Sequence, residues 1–390
     1  MISIIKDVKV YSPNNLGENN VVIVGEKFEG IYKDIDIPKD FIHINEIEGR
    51  GKIMLPGFID GHVHIIGGGG EGSFNSRTPE ISFTELTTAG ITTVIGCIGT
   101  DSICRDMRTL IAKAKALEEE GITSYCYTGS YEVPVKTVTD SIKADIMLID
   151  KVIGVGEIAL SDNRSSQPTY EQFVNLVAQA RVGGLLSGKA GIVNVHLGAG
   201  RRKLKYLFSL LEGTEIPGTQ MLPTHINRSE ELFEEGIKYI KIGGFIDLTT
   251  STDPNYLEPT EMTASKCLSR IIEEGLPIER VTFSSDGNGS MPKFNKKKEL
   301  EGLGICSVKT LYEEARKAIL QEGIPIEIAI KVITTNVAKL LKLLDRGEIK
   351  KGNSADFVLV DEKDLSIVDV YGRGRVLVKD KKPIVLGTFQ

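Results

Sequence analysis

Histidine is scarce in this 390-residue chain, which has five. Cysteine is no more plentiful. The five cysteines (Cys97, Cys104, Cys126, Cys267 and Cys306) are odd in number, scattered, and nowhere spaced C-x-x-C. That pattern excludes a disulfide framework and a zinc ribbon and fits a reducing cytoplasm, where the protein is expected. Buried cysteines of this kind read as small hydrophobes rather than nucleophiles. No apolar run approaches the roughly 20 residues of a membrane span. Residues 1–7 lack the charged start, apolar stretch and small-residue cleavage site of a signal peptide, and their alternation reads as a strand. A formal net charge of -6 argues against nucleic acid or an anionic membrane as partner. Tandem repeats, low-complexity tracts and Pro/Ser linkers are absent. What remains, 41% hydrophobic and 26% charged, is ordinary for a globular enzyme.

The chain is organised around Leu55-Pro56-Gly57-Phe58-Ile59-Asp60-Gly61-His62-Val63-His64. Phe58–Val63 reads as a short apolar strand with two histidines at its C-terminal end. Residues at i and i+2 of a strand point to one face, so His62 and His64 can aim two imidazoles at one ion. Taken alone, a His-x-His pair is equally two polar residues on the wet face of an edge strand. Before it, residues 1–54 read as short β segments (4–11, 21–24, 28–32 and 42–47) separated by Asn, Gly and Pro turns, with His43 an ordinary strand or surface residue. After it, strands alternate with helices: strand signals fall at 91–98, 124–128, 152–158, Ile192–Leu197, 221–225, 245–248 and 281–285. Helical spacing occupies 102–120, 170–182, 203–211, 229–240 and 260–274, then 307–321 and 326–344. Eight strands with interleaved helices predict an α/β fold, a (β/α)8 TIM-like barrel over 55–346. From 347 to 390 the chain returns to β character, at 357–360, 367–371, 375–378 and 383–387. The two ends are therefore expected to form one small β-sandwich domain, 1–54 with 347–390. Lys296, Lys297 and Lys298 read as a solvated loop.

In such a barrel chemistry sits at the C-terminal strand ends. Those ends carry His62 and His64, Glu157, His196, His225 and, just past the last strand, Asp286. Four of the five histidines and two carboxylates share that rim, which turns the His-x-His pair into a metal expectation. Six ligands exceed the needs of one tetrahedral ion and suit two divalent ions, zinc being the natural choice for imidazole and carboxylate.

This pattern resembles the amidohydrolase superfamily across essentially the whole chain, and within it the isoaspartyl (β-aspartyl) dipeptidases. The likeness rests on six local matches in order: the glycine run 67–70 with Glu71; Gly99-Thr100-Asp101-Ser102; Thr128-Gly129-Ser130-Tyr131; Ser161-Asp162-Asn163-Arg164-Ser165; Pro223-Thr224-His225-Ile226-Asn227-Arg228; and Ser284 through Ser290. The resemblance implies hydrolysis of the isopeptide bond of β-aspartyl dipeptides by a metal-bridging hydroxide. Asp286 would carry the proton and Tyr131 would steady the carbonyl oxygen. A small zwitterionic dipeptide would be held by Gly69, Glu71 (on its ammonium), Thr100, Tyr131, Arg164, Arg228 and Ser290. Relatives form symmetric assemblies, which implies a homo-oligomer. Better-known members bridge their metals with a carbamylated lysine at the end of strand four. Glu157 stands there instead, and Lys151 lies at the strand's other end. Glu157 is expected either to bridge the metals itself or to support the site from behind. Another amidohydrolase, such as a cyclic-amide hydrolase or deacetylase, and a non-catalytic assembly protein remain the alternatives.

Overall fold

A computed structural model describes residues 1–38, 43–251, 261–294 and 300–390. The N-terminal segment forms β1 (Ile2–Tyr11), β2 (Asn15–Val24), β3 (Lys27–Tyr32), β4 (Ile44–Glu48) and β5 (Lys52–Pro56). One residue later the chain enters β6 (Phe58–Val63), followed by α1 (Phe83–Thr88), β7 (Ile91–Gly96), α2 (Met107–Glu120), β8 (Thr123–Thr128) and α3 (Ile142–Leu148). Alternation continues through β9 (Val152–Leu160), α4 (Tyr170–Ser187), β10 (Ile192–Leu197), α5 (Lys205–Gly213), β11 (Met221–Thr224) and α6 (Glu230–Lys241). Then come β12 (Ile246–Thr249), α7 (Ala264–Glu273), β13 (Val281–Ser284), a hairpin of β14 (Ser290–Phe294) and β15 (Leu300–Ile305), and α8 (Thr310–Leu320). After two short helices, the C-terminal strands β16 (Phe357–Asp361), β17 (Ile367–Gly372), β18 (Arg375–Lys379) and β19 (Lys382–Pro383) close the chain.

The eight central strands lie in chain order as a curled parallel sheet. β6 to β11 form a six-stranded sheet, and β12 pairs with β13. Buried polar contacts span the seams. Asp247 on β12 accepts from Thr224 on β11 (2.7 Å) and from Thr282 on β13 (2.7 Å). Asp60 on β6 accepts from the amide of Ser285 beyond β13 (3.1 Å), and a parallel bridge joins Val63 to Gly287. Burial pushes the Asp60 carboxyl up to about 7, against the pull of Ser285. The helices cover this sheet with one large apolar core that includes Phe83, Leu110, Phe173, Leu207, Phe233 and Phe283. The two chain ends meet as expected: β16 pairs antiparallel with β5, giving a nine-stranded sheet with its own core around Phe28, Phe357 and Tyr371. No helix among the described residues is long and apolar enough to cross a membrane.

Several local expectations change. The helix expected over 102–120 begins only at Met107, because Asp106 caps it (its carboxylate accepts from the Thr109 amide, 2.9 Å) and Asp101 ties the preceding turn. The stretch 326–344 is not one helix; a 3-10 turn at Ile330–Ile333 splits it. The final strand shrinks to Lys382–Pro383. Short helices α1 and α3 and the hairpin β14–β15 were not anticipated. His43 is exposed, as expected. The start of the 42–47 strand, the start of the 260–274 helix and the Lys296–Lys298 run lie outside the described residues.

Candidate active site

The strand ends converge. His62 and His64 leave β6 on one face, their rings 5.5 Å apart, and His62 stands 5.5 Å from the ring of His225. His225 follows β11 and Asp286 follows β13, both with left-handed backbones (φ 63 and 52). Such a conformation costs a non-glycine residue about 1–2 kcal/mol, so it needs support from its surroundings. Glu157 reaches the same point through a bulge. In the β9–β10 ladder Val155 pairs with Val193 but Ile158 pairs with Val195, so Gly156 and Glu157 together face Asn194. A bulge re-aims a side chain and bends its strand. The close approach requires glycine: a Cβ on Gly156 would fall 2.8 Å from the Asn194 Cβ, and one on Gly154 would fall 2.4 Å from the Ile192 carbonyl oxygen.

Glu157 is the hub. Its Oε2 lies 3.1 Å from His196 Nδ1, 3.3 Å from His62 Nε2 and 3.7 Å from His225 Nε2, and its Oε1 lies 3.5 Å from His64 Nε2. Asp286 Oδ1 lies 3.1 Å from His64 Nε2 and 3.5 Å from His62 Nε2. Burial opposes charge on Glu157, but the His62 and His196 imidazoles more than offset it and hold the carboxyl well below its usual range. Asp286 is depressed in the same way, chiefly by His64 against burial. Burial and the Arg228 guanidinium push His225 down to about 3, leaving the neutral imidazole that ligates metals. Burial disfavours charged rings at His62 and His64, yet Cys97 and Glu157 beside them raise both well above the ordinary value. Concentrated negative charge of that kind attracts a cation.

The donor set fits a metal. Both ring nitrogens of His62, Oε1 of Glu157 and Nε2 of His225 are buried without any hydrogen-bond partner, an arrangement that calls for an ion. Three overlapping groups have their ligand atoms mutually within 4.8 Å: His62, His64, Cys97 and Glu157; His62, His225 and Asp286; and Glu157, His196 and His225. All six residues expected to ligate metal are therefore together.

The residues expected to hold substrate border this cluster. Glu71 accepts from Thr100 Oγ1 (2.7 Å), Arg164 Nη1 (3.2 Å) and Ser290 Oγ (3.4 Å). The Tyr131 hydroxyl lies 2.8 Å from His196 Nδ1, and Arg164 sits over its ring at 5.4 Å. Arg228 donates to the Leu197 carbonyl (2.9 Å) and reaches 3.5 Å from His196 Nε2. Gly69 is buried at the base of the Glu71 loop (φ 69), where a Cβ would strike the Ser76 carbonyl at 2.6 Å.

Three participants escaped sequence reasoning. Asp162, inside the Ser161–Ser165 motif, accepts from Arg164 Nε (3.0 Å) and Nη2 (2.9 Å) and lies 3.0 Å from His196 Nε2. It thereby orients both an arginine and a histidine. Arg105 is buried and donates to the carbonyls of Ile66 (3.1 Å), Gly69 (3.5 Å) and Thr78 (2.9 Å), fixing the loop that carries Glu71. Cys97, directly after β7, has its Sγ 3.8 Å from His64 Nδ1. Burial opposes its thiolate, but His62 and His64 bring the thiol below its usual value.

The curled sheet carries a cluster of potential metal ligands at its strand ends, and the chain belongs to the amidohydrolase family, whose model matches residues 53–379. More particularly, it is similar to the β-aspartyl dipeptidase of Fervidobacterium islandicum. A structure of that protein in complex with β-Asp-Leu superposes with a TM-score of 0.92 at 46% identity, covering 100% of this chain and 99% of the other. A second structure of the same dipeptidase gives 0.91 at 45% identity, covering 100% of both chains. Among curated proteins, a dihydroorotase of Caldanaerobacter subterraneus subsp. tengcongensis is 22% identical over 87% of this chain and 83% of its own length.

Proposed function

We propose that the protein is a metal-dependent dipeptidase that hydrolyses the isopeptide bond of β-aspartyl dipeptides. The observation that carries this reading is the opposed pair at the mouth of the cluster, Glu71 against Arg164 at 3.2 Å, with Arg228 nearby. A β-aspartyl dipeptide carries a free α-ammonium and two carboxylates. Glu71 would take the ammonium, with Thr100, Ser290 and the backbone at Gly69 around it. Arg164, braced by Asp162, and Arg228 would take the carboxylates through planar forks. A cyclic amide carries no ammonium and has no use for Glu71, which favours the dipeptide over the dihydroorotase-like alternative.

His62, His64, Glu157 and Asp286 would hold one ion of a pair and Glu157, His196 and His225 the other, with zinc suited to these donors. When bound, the ions would lower the pKa of water toward about 7 and polarise the scissile carbonyl. The remaining work falls to side chains. Asp286 is 18% exposed where Glu157 is 1% exposed, so Asp286 can meet the substrate. Its carboxylate would accept the proton of the attacking water and deliver it to the leaving amine nitrogen, a role worth about 10²–10⁴ in rate. The Tyr131 phenol would donate to the carbonyl oxygen as negative charge builds there, a contribution of about 3–4 kcal/mol where such a donor is well placed. Burial and the Glu157 charge hold that phenol protonated, its pKa well above the ordinary value.

The test is to strip the purified protein of metal, restore zinc, and assay β-aspartyl dipeptides, α-aspartyl dipeptides and cyclic amides. Zinc-dependent release of the C-terminal residue from the β-linked series supports the reading. Activity confined to cyclic amides, or indifferent to metal, overturns it.

A further inference from the structure

A histidine can serve the ion position at Glu157, His196 and His225 only if the nitrogen facing it carries no proton. Both of these rings are buried, with their centroids 4.6 Å apart. Building on the metal-dependent reading of the site, we propose that Thr249 is a positioning residue. Its hydroxyl holds the proton of His225 on Nδ1 and so keeps the Nε2 lone pair turned to the ion.

Thr249 ends β12, a strand that supplies none of the candidate ligands among the described residues. Its Oγ1 lies 2.7 Å from His225 Nδ1. The other ring nitrogen, Nε2, points into the cluster, 3.7 Å from Glu157 Oε2, and is buried without a hydrogen-bond partner. At that distance no hydrogen bond forms. A proton on Nε2 would therefore be a buried donor with no acceptor, which folded proteins avoid. With the proton on Nδ1, the ring donates to the Thr249 hydroxyl and Nε2 offers its lone pair to the centre. Metal-bound histidines are regularly fixed by such an outer partner on the far nitrogen. His196 shows the same division of labour, with Nδ1 3.1 Å from Glu157 Oε2 and Nε2 3.0 Å from Asp162 Oδ2.

The Thr249 backbone is itself clamped. Asn227, two residues past His225, is buried and brackets it from both sides. The Asn227 Oδ1 accepts from the Thr249 amide (2.8 Å), while Nδ2 donates to the carbonyls of Thr249 (2.9 Å) and Met262 (2.8 Å). His225, Asn227 and Thr249 thus close a small ring between the ends of β11 and β12, which the Thr224–Asp247 bond also ties together. This bracket supplies the support that the left-handed backbone of His225 requires. Arg228 belongs to the same turn, its amide donating to the His225 carbonyl (3.1 Å).

Thr249→Val removes the hydroxyl at nearly constant size, and Thr249→Ser keeps it. Full-length wild type and both variants are stripped of metal and dialysed against graded free zinc, with elemental analysis counting ions per chain. Thr249→Val should hold one ion about 10–100-fold more weakly and the other as before, with Thr249→Ser within about threefold of wild type. Nitrogen-15 spectra of the five histidines in the zinc-loaded protein give a second readout that does not depend on Thr249→Val folding. Wild type should show a slowly exchanging ring proton on Nδ1 whose signal moves in Thr249→Ser. Both ions held as in wild type by Thr249→Val, both weakened alike, or no Nδ1 proton that responds to Thr249→Ser overturns the Thr249 inference and leaves the dipeptidase reading standing. A wild-type protein that binds no zinc overturns both.

Discussion

Replacing Glu157 by glutamine tests the hub of the site. The side chain is 1% exposed and lies within 3.7 Å of nitrogens on four histidines. Glutamine keeps its size and can fill the bulge on β9, so the fold should survive. What it removes is the negative charge that both proposed metal positions would share. Taking one partner from a buried charged set costs about 3–5 kcal/mol. At about 1.4 kcal/mol per decade, metal affinity should fall by two to four orders of magnitude. Elemental analysis after dialysis at graded free zinc, with circular dichroism as the control for folding, reads this directly. Because a native carboxylate needs no carbon dioxide, reactivation of metal-free wild type should require zinc and be indifferent to bicarbonate. A Glu157→Gln protein that keeps two tightly held ions, or a bicarbonate requirement in wild type, would refute the bridge and return Glu157 to a supporting position.

Asp286→Asn should lower kcat by about 10²–10⁴ with KM little changed, measured by steady-state release of the C-terminal residue; near-normal turnover would remove Asp286 from proton transfer. Arg228→Lys should act mainly on KM, lowering kcat/KM by about tenfold or more because an ammonium cannot copy the planar fork. An unchanged KM across dipeptides would free Arg228 from carboxylate recognition. Arg105→Met should lower Tm and raise KM together, since charge-assisted bonds of about 1.5–3 kcal/mol each fix the Glu71 loop. Calorimetry showing a lower Tm with KM intact would limit Arg105 to stability.

Much of this site is legible in the sequence because barrel chemistry concentrates at strand ends. His62, His64, His196, His225 and Asp286 lie at or just past such ends, while Glu157 lies inside β9 and joins them through its bulge. The alternation of strands and helices is legible as well, because β-branched runs such as Ile91–Gly96 stand apart from the helical spacing between them. Cys97 stayed hidden because Ile95-Gly96-Cys97-Ile98 is indistinguishable from a buried apolar strand end; only the fold shows that it abuts His64. Asp162 was in view within a quoted motif, but its service to His196 depends on a contact across 34 residues. Arg105 fell inside an expected helix, where an arginine reads as a solvated face. The true helix start at Met107 instead leaves it in the preceding turn, turned inward to backbone carbonyls. The bulge at Glu157 could not be read from β9, since it depends on register with β10.

The most direct measurement is the ratio of kcat/KM for β-Asp-Leu over α-Asp-Leu, determined on the zinc-loaded protein and on Glu71→Gln. In wild type the β-linked substrate should be preferred by orders of magnitude, because on the proposed reading only that linkage would set the ammonium on Glu71 and the carboxylates on Arg164 and Arg228 at once. Glu71→Gln should lose most of its activity toward β-Asp-Leu. Equal rates on the two dipeptides, or a β-preference untouched by Glu71→Gln, would contradict the assignment.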